Sequence, residues 1–561
     1  MRSDDRLPAD DLVDREWESY EEFEAALPFP VPREVNLASY LCDRWAEDDE
    51  RRVAIHADGA DRDPESIRYA DLAARADALA AHLADRGVDP GDRVGLILPQ
   101  RPETVVAHLA AWKLGAVSVP LSTLFGTDAV RYRFSDSESV ACVVDESNVE
   151  TFRSVRGTLD ALESAVTVGV PRPRDDETAL STVVRRDGPR VHPHATAAED
   201  PSVILYTSGS TGDPKGVVLS HEMFLGYLPT FVAYACNMTV DDDNRHWTPA
   251  EWAWSGSLYT TVFPPLFFGK SIVSYAAGKF QPSVAFELIE HYELTNTHLP
   301  PAALRMMQEV EDPGDRYELS SLRVISTGGD TVDPDLVTWA EGVFGDVVVH
   351  TGYGQTEMLA VTNDCVRFFE PREGSVGRTA PGHEVAILDP DTHEPLDDTG
   401  TIGEFGVRYE GDPVAFTEYW NEPEKTDRKV RDGWLLTEDL GWVDEDGYYY
   451  FDARKDDVII SAGYRIGPEE IETVLEDHPS VREAAVIGIP DDERGKVPKA
   501  VLVLAEGASL DADLEADLES HVRERLAQYE YPRAFEAVAE LPKTVTGKKQ
   551  RSVLEERERD E

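Results

Sequence analysis

The sequence predicts an α/β fold in two domains, a large one over residues 1–455 and a small α+β one over residues 456–561. Three observations lead to this prediction. From about residue 66, apolar runs of strand length alternate with segments of helical periodicity, as in mostly parallel sheets covered by helices. From about residue 375, short apolar runs between turn residues indicate a β-rich subdomain of the large domain. After Asp456 helical and strand patterns alternate again, so the domain boundary is placed there.

The elements of the large domain are predicted from the spacing of apolar residues. Between Tyr69 and Asp85, Leu and Ala recur at helical intervals and Gly87 follows, so we expect a helix there. The continuous apolar run at 93–98 is typical of a buried strand. The same patterns predict a helix over 102–114, a strand over 116–120, a helix over 287–291, strands over 295–299 and 322–326, a helix over 336–344 and a strand over 347–350.

Further elements follow from the same reasoning. In the β-rich subdomain, turn-forming residues bound three short runs, which predicts strands over 385–388, 403–408 and 447–451. In the small domain we expect a helix over 469–476, strands over 483–489 and 500–504, and an amphipathic helix over 514–526. The first 50 residues are acidic with scattered aromatic residues, and we expect them to wrap the larger body.

The chain is strongly acidic: 109 acidic against 54 basic residues give a formal net charge of −55. This sign argues against nucleic acids and anionic membranes as partners, and no apolar run approaches the roughly 20 residues of a membrane-spanning helix. Acidic residues spread along the whole chain, with only 12 lysines, are typical of halophilic proteins, whose self-repulsion molar salt screens. We therefore expect a cytoplasmic protein of a salt-rich cell. We also expect a monomer or a small homo-oligomer.

Several kinds of site are not expected. The four cysteines, Cys42, Cys142, Cys236 and Cys365, are far apart and form no Cys-x-x-Cys pair, which argues against a zinc cluster or redox dithiol. The sequence contains no His-Glu-x-x-His, Gly-x-Ser-x-Gly or Gly-x-Gly-x-x-Gly motif. The common fingerprints of metalloproteases, α/β-hydrolases and dinucleotide-binding proteins are therefore missing.

A segment rich in Gly, Ser and Thr, Tyr-Thr-Ser-Gly-Ser-Thr-Gly-Asp-Pro-Lys-Gly (206–216), follows the apolar run 203–205. Backbone N–H groups in such a loop can close around phosphate oxygens, the hydroxyl groups add donors, and Lys215 adds a positive charge. A plain linker is the alternative, but strand-like apolar sequence flanks the segment on both sides. A Walker A loop is excluded, because Gly269-Lys270-Ser271 has Pro264 where the first glycine would stand.

The segment resembles the phosphate loop of the adenylate-forming superfamily of acyl-CoA synthetases, luciferases and peptide-synthetase adenylation domains. Four more segments resemble its motifs, in its order: Thr-Gly-Tyr-Gly-Gln-Thr-Glu (351–357), Leu-Thr-Glu-Asp-Leu-Gly (436–441), Asp-Ala-Arg-Lys-Asp-Asp (452–457) and Pro-Lys-Thr-Val-Thr-Gly-Lys (542–548). Glu438 and Ala453 stand where the family usually has glycine, and Asp330 where it more often has Glu. Within the superfamily the chain is most similar to medium-chain acyl-CoA synthetases.

The resemblance implies a two-step reaction. A carboxylic acid attacks the α-phosphate of ATP, pyrophosphate leaves and an acyl-adenylate forms; the thiol of CoA then takes the acyl group and releases AMP. Joining two anions in the first step requires positive charge and fixed geometry. The cofactors and substrates implied are ATP, Mg²⁺, CoA and a small-molecule carboxylic acid.

The resemblance also implies the ATP site. The phosphate loop would contribute Thr207, Ser208, Gly209, Ser210, Thr211, Gly212 and Lys215. Adenine and ribose would lie against Gly328, Gly329, Asp330, Thr351, Gly352, Tyr353, Gly354, Gln355, Asp439 and Arg454. Thr356 would contact the α-phosphate, and Glu357 would bind Mg²⁺. Lys548 would bridge carboxylate and α-phosphate oxygens, and Arg465 would reach the phosphate or the carboxylate.

In the family the C-terminal domain is mobile and rotates between the two steps, here about Asp456. Rotation would withdraw Lys548 and bring Ala462, Gly463 and Tyr464 against the pantetheine channel. The candidate CoA contacts are Arg494, Arg523 and Tyr531.

Gly354 stands where acetate-specific relatives have a tryptophan that closes the acyl pocket, so we expect a short- or medium-chain acid. Trp252, Trp254 and Tyr259 either line this pocket or belong to the core.

Two other functions compete with a CoA ligase. One is an adenylate-forming enzyme whose acceptor is the pantetheine of a carrier protein. The other is a non-catalytic nucleotide-binding relative, against which stands the presence of Lys215, Glu357 and Lys548 together.

Overall fold

The computed structural model describes residues 6–27, 29–59, 62–184, 188–207, 213–276, 278–329, 332, 334–454, 459–491, 493–505, 507–542, 549 and 551–560. It has the α/β architecture that the sequence predicts. The helix Tyr69–Asp85 has the predicted bounds, and the predicted helix over 102–114 is Pro102–Lys113. None of the helices in these ranges is both long and apolar enough to cross a membrane.

Two large sheets, each with a parallel centre, form the body of the molecule. One contains, from edge to edge, Arg378–Thr379, Leu359–Asn363, Val348–Gln355, Val324–Gly328, Asn296–His298, Arg245–Trp247, Ser271–Ala276, Val53–Gly59 and Arg62–Arg68. The other contains Glu418–Tyr419, Lys215–Ser220, Pro201–Thr207, Val117–Leu121, Arg93–Ile97, Ala141–Asp145, Ser164–Val168 and Glu177–Ala179. Antiparallel pairs lie at the edges: Val348–Gln355 with Leu359–Asn363, and Pro201–Thr207 with Lys215–Ser220.

Two smaller sheets complete the fold. The β-rich subdomain is antiparallel and consists of Val385–Leu388, Gly403–Arg408, Trp434–Val443, Val430–Arg431 and Tyr449–Arg454. The C-terminal sheet consists of Tyr464–Ile466, Ile459–Ser461, Gly495–Leu504, Val481–Asp491 and, parallel to Gly495–Leu504, Ala534–Ala537. The predicted strand over 447–451 starts two residues later and extends to Arg454, so part of the predicted hinge motif is strand.

Helices cover the sheets. The α-helices are Asp11–Asp14, Tyr20–Ala25, Arg44–Asp48, Tyr69–Asp85, Pro102–Lys113, Thr127–Asp136, Val149–Val155, Leu180–Val183, His221–Thr230, Ser255–Ser257, Phe263–Phe267, Pro282–Tyr292, Pro301–Gln308, Pro313–Arg316, Pro334–Phe344, Pro423–Lys429, Pro468–Glu476, Ala512–Arg523 and Arg551–Asp560. Short π-helical segments occur at Ser39–Asp43, Phe231–Ala235 and Leu258–Val262, and 3₁₀ turns at Pro8–Asp10 and Arg156–Thr158. Leu12, Trp17, Tyr20 and Phe23 join the main hydrophobic core, so the described N-terminal residues pack on the body.

The C-terminal region docks on the sheet that contains Arg93–Ile97. Backbone hydrogen bonds join Gln528 N to the Leu124 carbonyl (2.9 Å) and Gly126 N to the Leu526 carbonyl (3.2 Å). One continuous hydrophobic cluster spans this contact, from Ile97 and Phe134 to Ile471 and Val522. The docking encloses the carboxyl ends of several parallel strands, where α/β proteins usually bind their ligands.

Candidate functional site

A cavity of about 960 Å³ lies between the large sheets and the C-terminal region. The strands Pro201–Thr207, Val324–Gly328 and Val348–Gln355 end on it. Residues that the sequence assigned to separate ligands share its wall: Thr207, Trp254, Gly328, Gly329, Thr351, Gly352, Tyr353, Gly354, Gln355, Thr356, Asp439, Ala462, Gly463, Tyr464, Arg494, Arg523 and Tyr531. One cavity thus joins the predicted nucleotide, acyl and CoA sites.

Buried hydrogen bonds connect two of the predicted motifs. The Tyr353 hydroxyl donates to Asp439 Oδ2 at 2.7 Å, and Gln355 Nε2 donates to the same oxygen at 2.6 Å. Gln355 Nε2 also donates to the Thr437 carbonyl at 2.7 Å. The Tyr353 ring packs on Phe405, with ring centroids 4.7 Å apart. The strand that carries 351–355 is therefore fixed to the strand that carries Asp439.

The nucleotide motif lies on a strand rather than in a loop. The predicted strand over 347–350 continues to Gln355, and a register shift follows Tyr353. At the start of the motif, Thr351 Oγ1 donates to Asp364 Oδ2 at 2.6 Å. Burial raises the pKa of Asp364 to about 6. Beyond the strand, Thr356 Oγ1 lies 3.4 Å from Ser255 Oγ on the cavity wall.

Lys215 and Glu357 lie together beside the start of the phosphate loop. Thr207 and Lys215 are opposite each other in the antiparallel pair that flanks the loop. The Lys215 ammonium lies 5.2 Å from the centroid of the Tyr419 ring, and the Tyr419 hydroxyl donates to Glu357 Oε1 at 2.6 Å. Burial lowers the pKa of Lys215, and the Glu357 carboxylate opposes that shift. A cation and a carboxylate thus meet where the triphosphate is predicted.

These groups fit a magnesium ion that is held mainly by nucleotide oxygens. Glu357 is 8% exposed, and its carboxylate is a hard oxygen donor. No group of three or more His, Cys, Asp or Glu residues that could hold a metal occurs within the described ranges. One carboxylate with phosphate and water oxygens is the usual magnesium site of ATP-dependent enzymes, so the donor set is suitable.

Glu438 has a left-handed backbone, with φ = +63°. This conformation favours glycine, which the family usually has here. The Glu438 N–H donates to Glu404 Oε1 at 2.8 Å, and the Glu438 carboxylate lies 3.8 Å from Lys429 Nζ. The sequence shows the departure from glycine at Glu438. Lys429 was not predicted as a site residue, because it belongs to none of the family motifs.

Aromatic rings from the large domain and from the C-terminal region meet at one end of the cavity. We call this end, lined by Trp254, Tyr464 and Tyr529, the mouth. Tyr464 and Tyr529 stack at 4.0 Å between centroids, and Trp254 contacts them edge-on at 5.8 and 6.1 Å. Gly463, at φ = +80°, lies where an added Cβ would be 3.6 Å from Pro300. The segment 462–464 therefore reaches the same cavity as the nucleotide motif.

Two arginines, Arg523 and Arg533, contact Tyr531 at this mouth, and a third, Arg494, lies close to Arg533. The guanidinium carbons of Arg523 and Arg533 lie 4.6 and 3.9 Å from the centroid of the Tyr531 ring. Burial and the nearby cation of Arg494 lower the pKa of Arg533. Arg533 was not predicted as a site residue. The signal that could have identified it is its position two residues after Tyr531, in a chain whose basic residues are mostly arginines.

The acyl side of the cavity is largely aromatic and apolar. Tyr227, Tyr234 and Tyr259 line it, as do Ala302 and Met306. Trp252 does not line the cavity, because it is 1% exposed and belongs to the main core. Of the two roles expected for this residue, pocket lining or core, the structure shows the core.

Gly354 lies on the cavity wall, but its missing side chain is required by the hairpin itself. An added Cβ would lie 1.6 Å from the Leu359 carbonyl oxygen and 2.7 Å from Ala360 Cα. Any larger residue here would need a different backbone between the strands Val348–Gln355 and Leu359–Asn363.

Several predicted site residues lie outside the described residues: Ser208, Gly209, Ser210, Thr211, Gly212, Asp330, Asp456 and Lys548. For Arg454 and Arg465 only the backbone is described, and Arg454 pairs with Asp439 in the sheet register. Lys549, next to Lys548, bonds through its ammonium to Glu472 and Glu476 at 2.9 and 3.0 Å and is not part of the cavity wall.

Comparison with known proteins shows the family to which the chain is similar. Residues 42–420 match the family model for AMP-binding enzymes, and residues 470–548 match the one for the C-terminal domain of AMP-binding enzymes. An uncharacterized acyl-CoA ligase of Bacillus subtilis (strain 168), YtcI, is 31% identical over 494 residues, 88% of this chain and 91% of the relative. The mitochondrial acyl-coenzyme A synthetase ACSM4 of Rattus norvegicus is 31% identical over 540 residues, 94% and 91% of the two chains. The crystal structure of an acyl-CoA synthetase from Brucella canis matches with a TM-score of 0.70 and 30% identity, covering 98% of this chain and 99% of that one.

Proposed function

Because the chain belongs to the AMP-binding enzyme family, we propose that it is an AMP-forming acid–CoA ligase. It activates a carboxylic acid with ATP and passes the acyl group to CoA. The observation that supports this most strongly is the single cavity with the nucleotide motif on one side and 462–464 with the arginines on the other. An acyl-adenylate formed at one end lies directly in the path of a thiol that enters at the other.

In the first step the acid carboxylate attacks the α-phosphorus of ATP and pyrophosphate leaves. Lys215 and the loop after Thr207 hold the β- and γ-phosphates, and Thr356 contacts the α-phosphate. Glu357 would hold Mg²⁺, which neutralises phosphate charge. Lys548 and Arg465 stabilise the carboxylate and α-phosphate oxygens as charge builds there.

In the second step the CoA sulfur attacks the acyl carbonyl carbon, and AMP leaves with the bond electrons. The C-terminal domain, residues 456–561, rotates about Asp456 between the steps. The contact of Tyr464 with Trp254 and the position of Ala462 on the cavity wall support this proposal, because they bring the segment 462–464 to the cavity. Arg494, Arg523 and Arg533 bind the phosphates of CoA, and Tyr531 presents a flat face for its adenine.

The acid is a short- or medium-chain, apolar one. The wall residues Tyr227, Tyr234, Tyr259 and Met306 are uncharged, which suits an apolar acid, and Gly354 places no tryptophan at the pocket. The enzyme works in a salt-rich cytoplasm as a monomer or small homo-oligomer, which its net charge of −55 suits.

The test is AMP release with ATP, Mg²⁺ and high salt, with and without CoA, across acetate, butyrate, octanoate, benzoate and palmitate. We expect CoA-dependent release that is greatest between butyrate and octanoate. An acetate-only profile would overturn the acid class. Adenylate formation that CoA does not accelerate would favour a carrier-protein acceptor, and ATP binding without turnover would favour a non-catalytic protein.

A further inference from the structure

Lys429 ends the helix Pro423–Lys429 and is 8% exposed. Its ammonium donates to Gln355 Oε1 at 3.2 Å and to the Thr437 carbonyl at 3.4 Å. A lysine ammonium is strongly hydrated, and burying one is unfavourable unless it is well bonded. Lysine is scarce in this chain, which has only 12 lysines in total.

The bond from Lys429 decides how the Gln355 amide is oriented. The amide oxygen accepts from the ammonium, so the amide nitrogen must face the other way, where it donates to Asp439 Oδ2 at 2.6 Å. A reversed amide would place its NH₂ group against the ammonium. The orientation of the Asp439 carboxylate therefore depends on Lys429 through Gln355.

Glu438 is suited to support this lysine. Its carboxylate lies 3.8 Å from Lys429 Nζ, although its left-handed backbone is less favourable than that of a glycine. The strand pairing shifts register between Glu404 and Gly406, which leaves Thr437, Glu438 and Asp439 on a bulge. The bulge sends Glu438 toward Lys429 and Asp439 toward Gln355, so the departure from glycine and the buried lysine form one unit.

We propose that Lys429 is a positioning residue for the nucleotide ribose: supported by Glu438, it orients Gln355, which holds Asp439 against the ribose hydroxyls. This rests on the proposed function and on the nucleotide site that the family resemblance implies, in which Asp439 binds the ribose. Lys429 itself touches neither substrate nor reacting atoms. Its contribution is discrimination in favour of a sugar that carries both hydroxyls.

The test compares kcat/KM for ATP and for 2′-deoxyATP in pyrophosphate exchange with a saturating acid. We expect Lys429→Met to lower the preference for ATP by about tenfold, since it removes the charge-assisted hydrogen bond to Gln355. Lys425→Met is the matched control: Lys425 lies one turn earlier and bonds to Glu422 at 2.7 Å instead. It should leave the preference unchanged.

Two further variants separate positioning from folding. Lys429→Met with Glu438→Gln removes both charges, should keep the wild-type Tm, and should show the same lost preference. Lys429→Met with Gln355→Ala should be no worse than Gln355→Ala alone, because both act through one bond. Equal losses for ATP and 2′-deoxyATP in Lys429→Met, or an equal effect of Lys425→Met, would overturn the inference.

Asp439→Ala tests the premise. It should abolish most of the preference for ATP. If it does not, Asp439 does not bind the ribose, and that part of the proposed function falls together with the inference. If Asp439→Ala removes the preference and Lys429→Met leaves it intact, only the role of Lys429 is wrong.

Discussion

At the nucleotide end of the cavity, hydrogen bonds of 2.6–2.7 Å join Gln355 and Tyr353 to Asp439, whereas at the mouth edge-on ring contacts of 5.8 and 6.1 Å join Trp254 to Tyr464 and Tyr529. Hydrogen bonds are directional and lose strength steeply when they bend. Ring contacts tolerate a range of distances and angles. The first set lies within the proposed large domain, and the second crosses to the small one.

This difference corresponds to what each end has to do. AMP must be held in one geometry through both steps, so its site is fixed by directional bonds. In the proposed mechanism the mouth must form and separate when the C-terminal domain rotates, and edge-on ring contacts can part and meet again without breaking directional hydrogen bonds. The following predictions compare the two ends, beginning with the largest expected effect.

The same substitution at two glycines should have very different results. Gly354→Ala places a Cβ 1.6 Å from a backbone oxygen, so we expect it to lower the free energy of unfolding by more than about 4 kcal/mol. Gly463→Ala meets only Pro300 Cβ at 3.6 Å, and its positive φ costs about 1–2 kcal/mol. Denaturation in high salt measures both. Similar losses would contradict the distinction between a fixed and an adaptable end.

Tyr464→Ala should separate the two steps. It removes the 4.0 Å stack on Tyr529 and the edge contact with Trp254, each worth about 0.5–1.5 kcal/mol. We expect thioester formation from supplied acyl-adenylate to slow about tenfold, while pyrophosphate exchange changes less than about twofold. Tyr464→Phe is the control, because it keeps the ring. A loss of pyrophosphate exchange would show that the mouth also supports the nucleotide end.

The smallest effect concerns pH. Burial and the neighbouring Glu530 raise the pKa of Glu470, with Arg133 opposing the shift and Asp213 adding to it. Because Arg133 and Asp213 lie outside residues 456–561, their influence shows that Glu470 faces the docking contact. Docking therefore adds burial, which favours the protonated acid, while the Arg133 cation opposes this effect. Docking should therefore weaken as pH rises above the usual Glu range toward the raised pKa.

The measurement is thioester formation from acyl-adenylate between pH 5.5 and 8.5. The rate of the wild type should fall about threefold relative to that of Glu470→Gln as pH rises. The ratio cancels ionisation of the CoA thiol, which both proteins share. A constant ratio would mean that Glu470 does not titrate with docking.

The sequence was a good guide wherever one periodicity or motif acts locally. The spacing of Leu and Ala predicted the helix Tyr69–Asp85 to the residue. The family resemblance assigned Gln355 and Asp439 to one nucleotide site, and the two side chains are hydrogen-bonded to each other. The sheet order could not be predicted, because pairing between distant strands depends on packing rather than on spacing. The strand that reaches Gln355 was predicted to end at 350, since its glycines look like loop residues until the partner strand at Leu359–Asn363 is present.

The residues that were missed are those whose role arises from three-dimensional contacts. Lys429 has no motif, and only its burial against Gln355 identifies it. The sequence showed that Glu438 replaces the family's usual glycine, but a glutamate in the sequence does not indicate a left-handed backbone. Trp252 and Trp254 are two positions apart in one segment, yet one is in the core and the other on the cavity wall.

The arginines around Tyr531 stand in a protein whose net charge is −55, so incoming CoA meets two opposed fields. The surface repels this anion from a distance, and the arginines attract it only at close range. In about 0.01 M salt the repulsion extends roughly 30 Å, whereas in about 1 M salt it fades within roughly 3 Å. Capture of CoA should therefore become faster as salt is added, the reverse of what a basic patch on a neutral protein gives. Salt would then act on the encounter rate of this enzyme as well as on its stability.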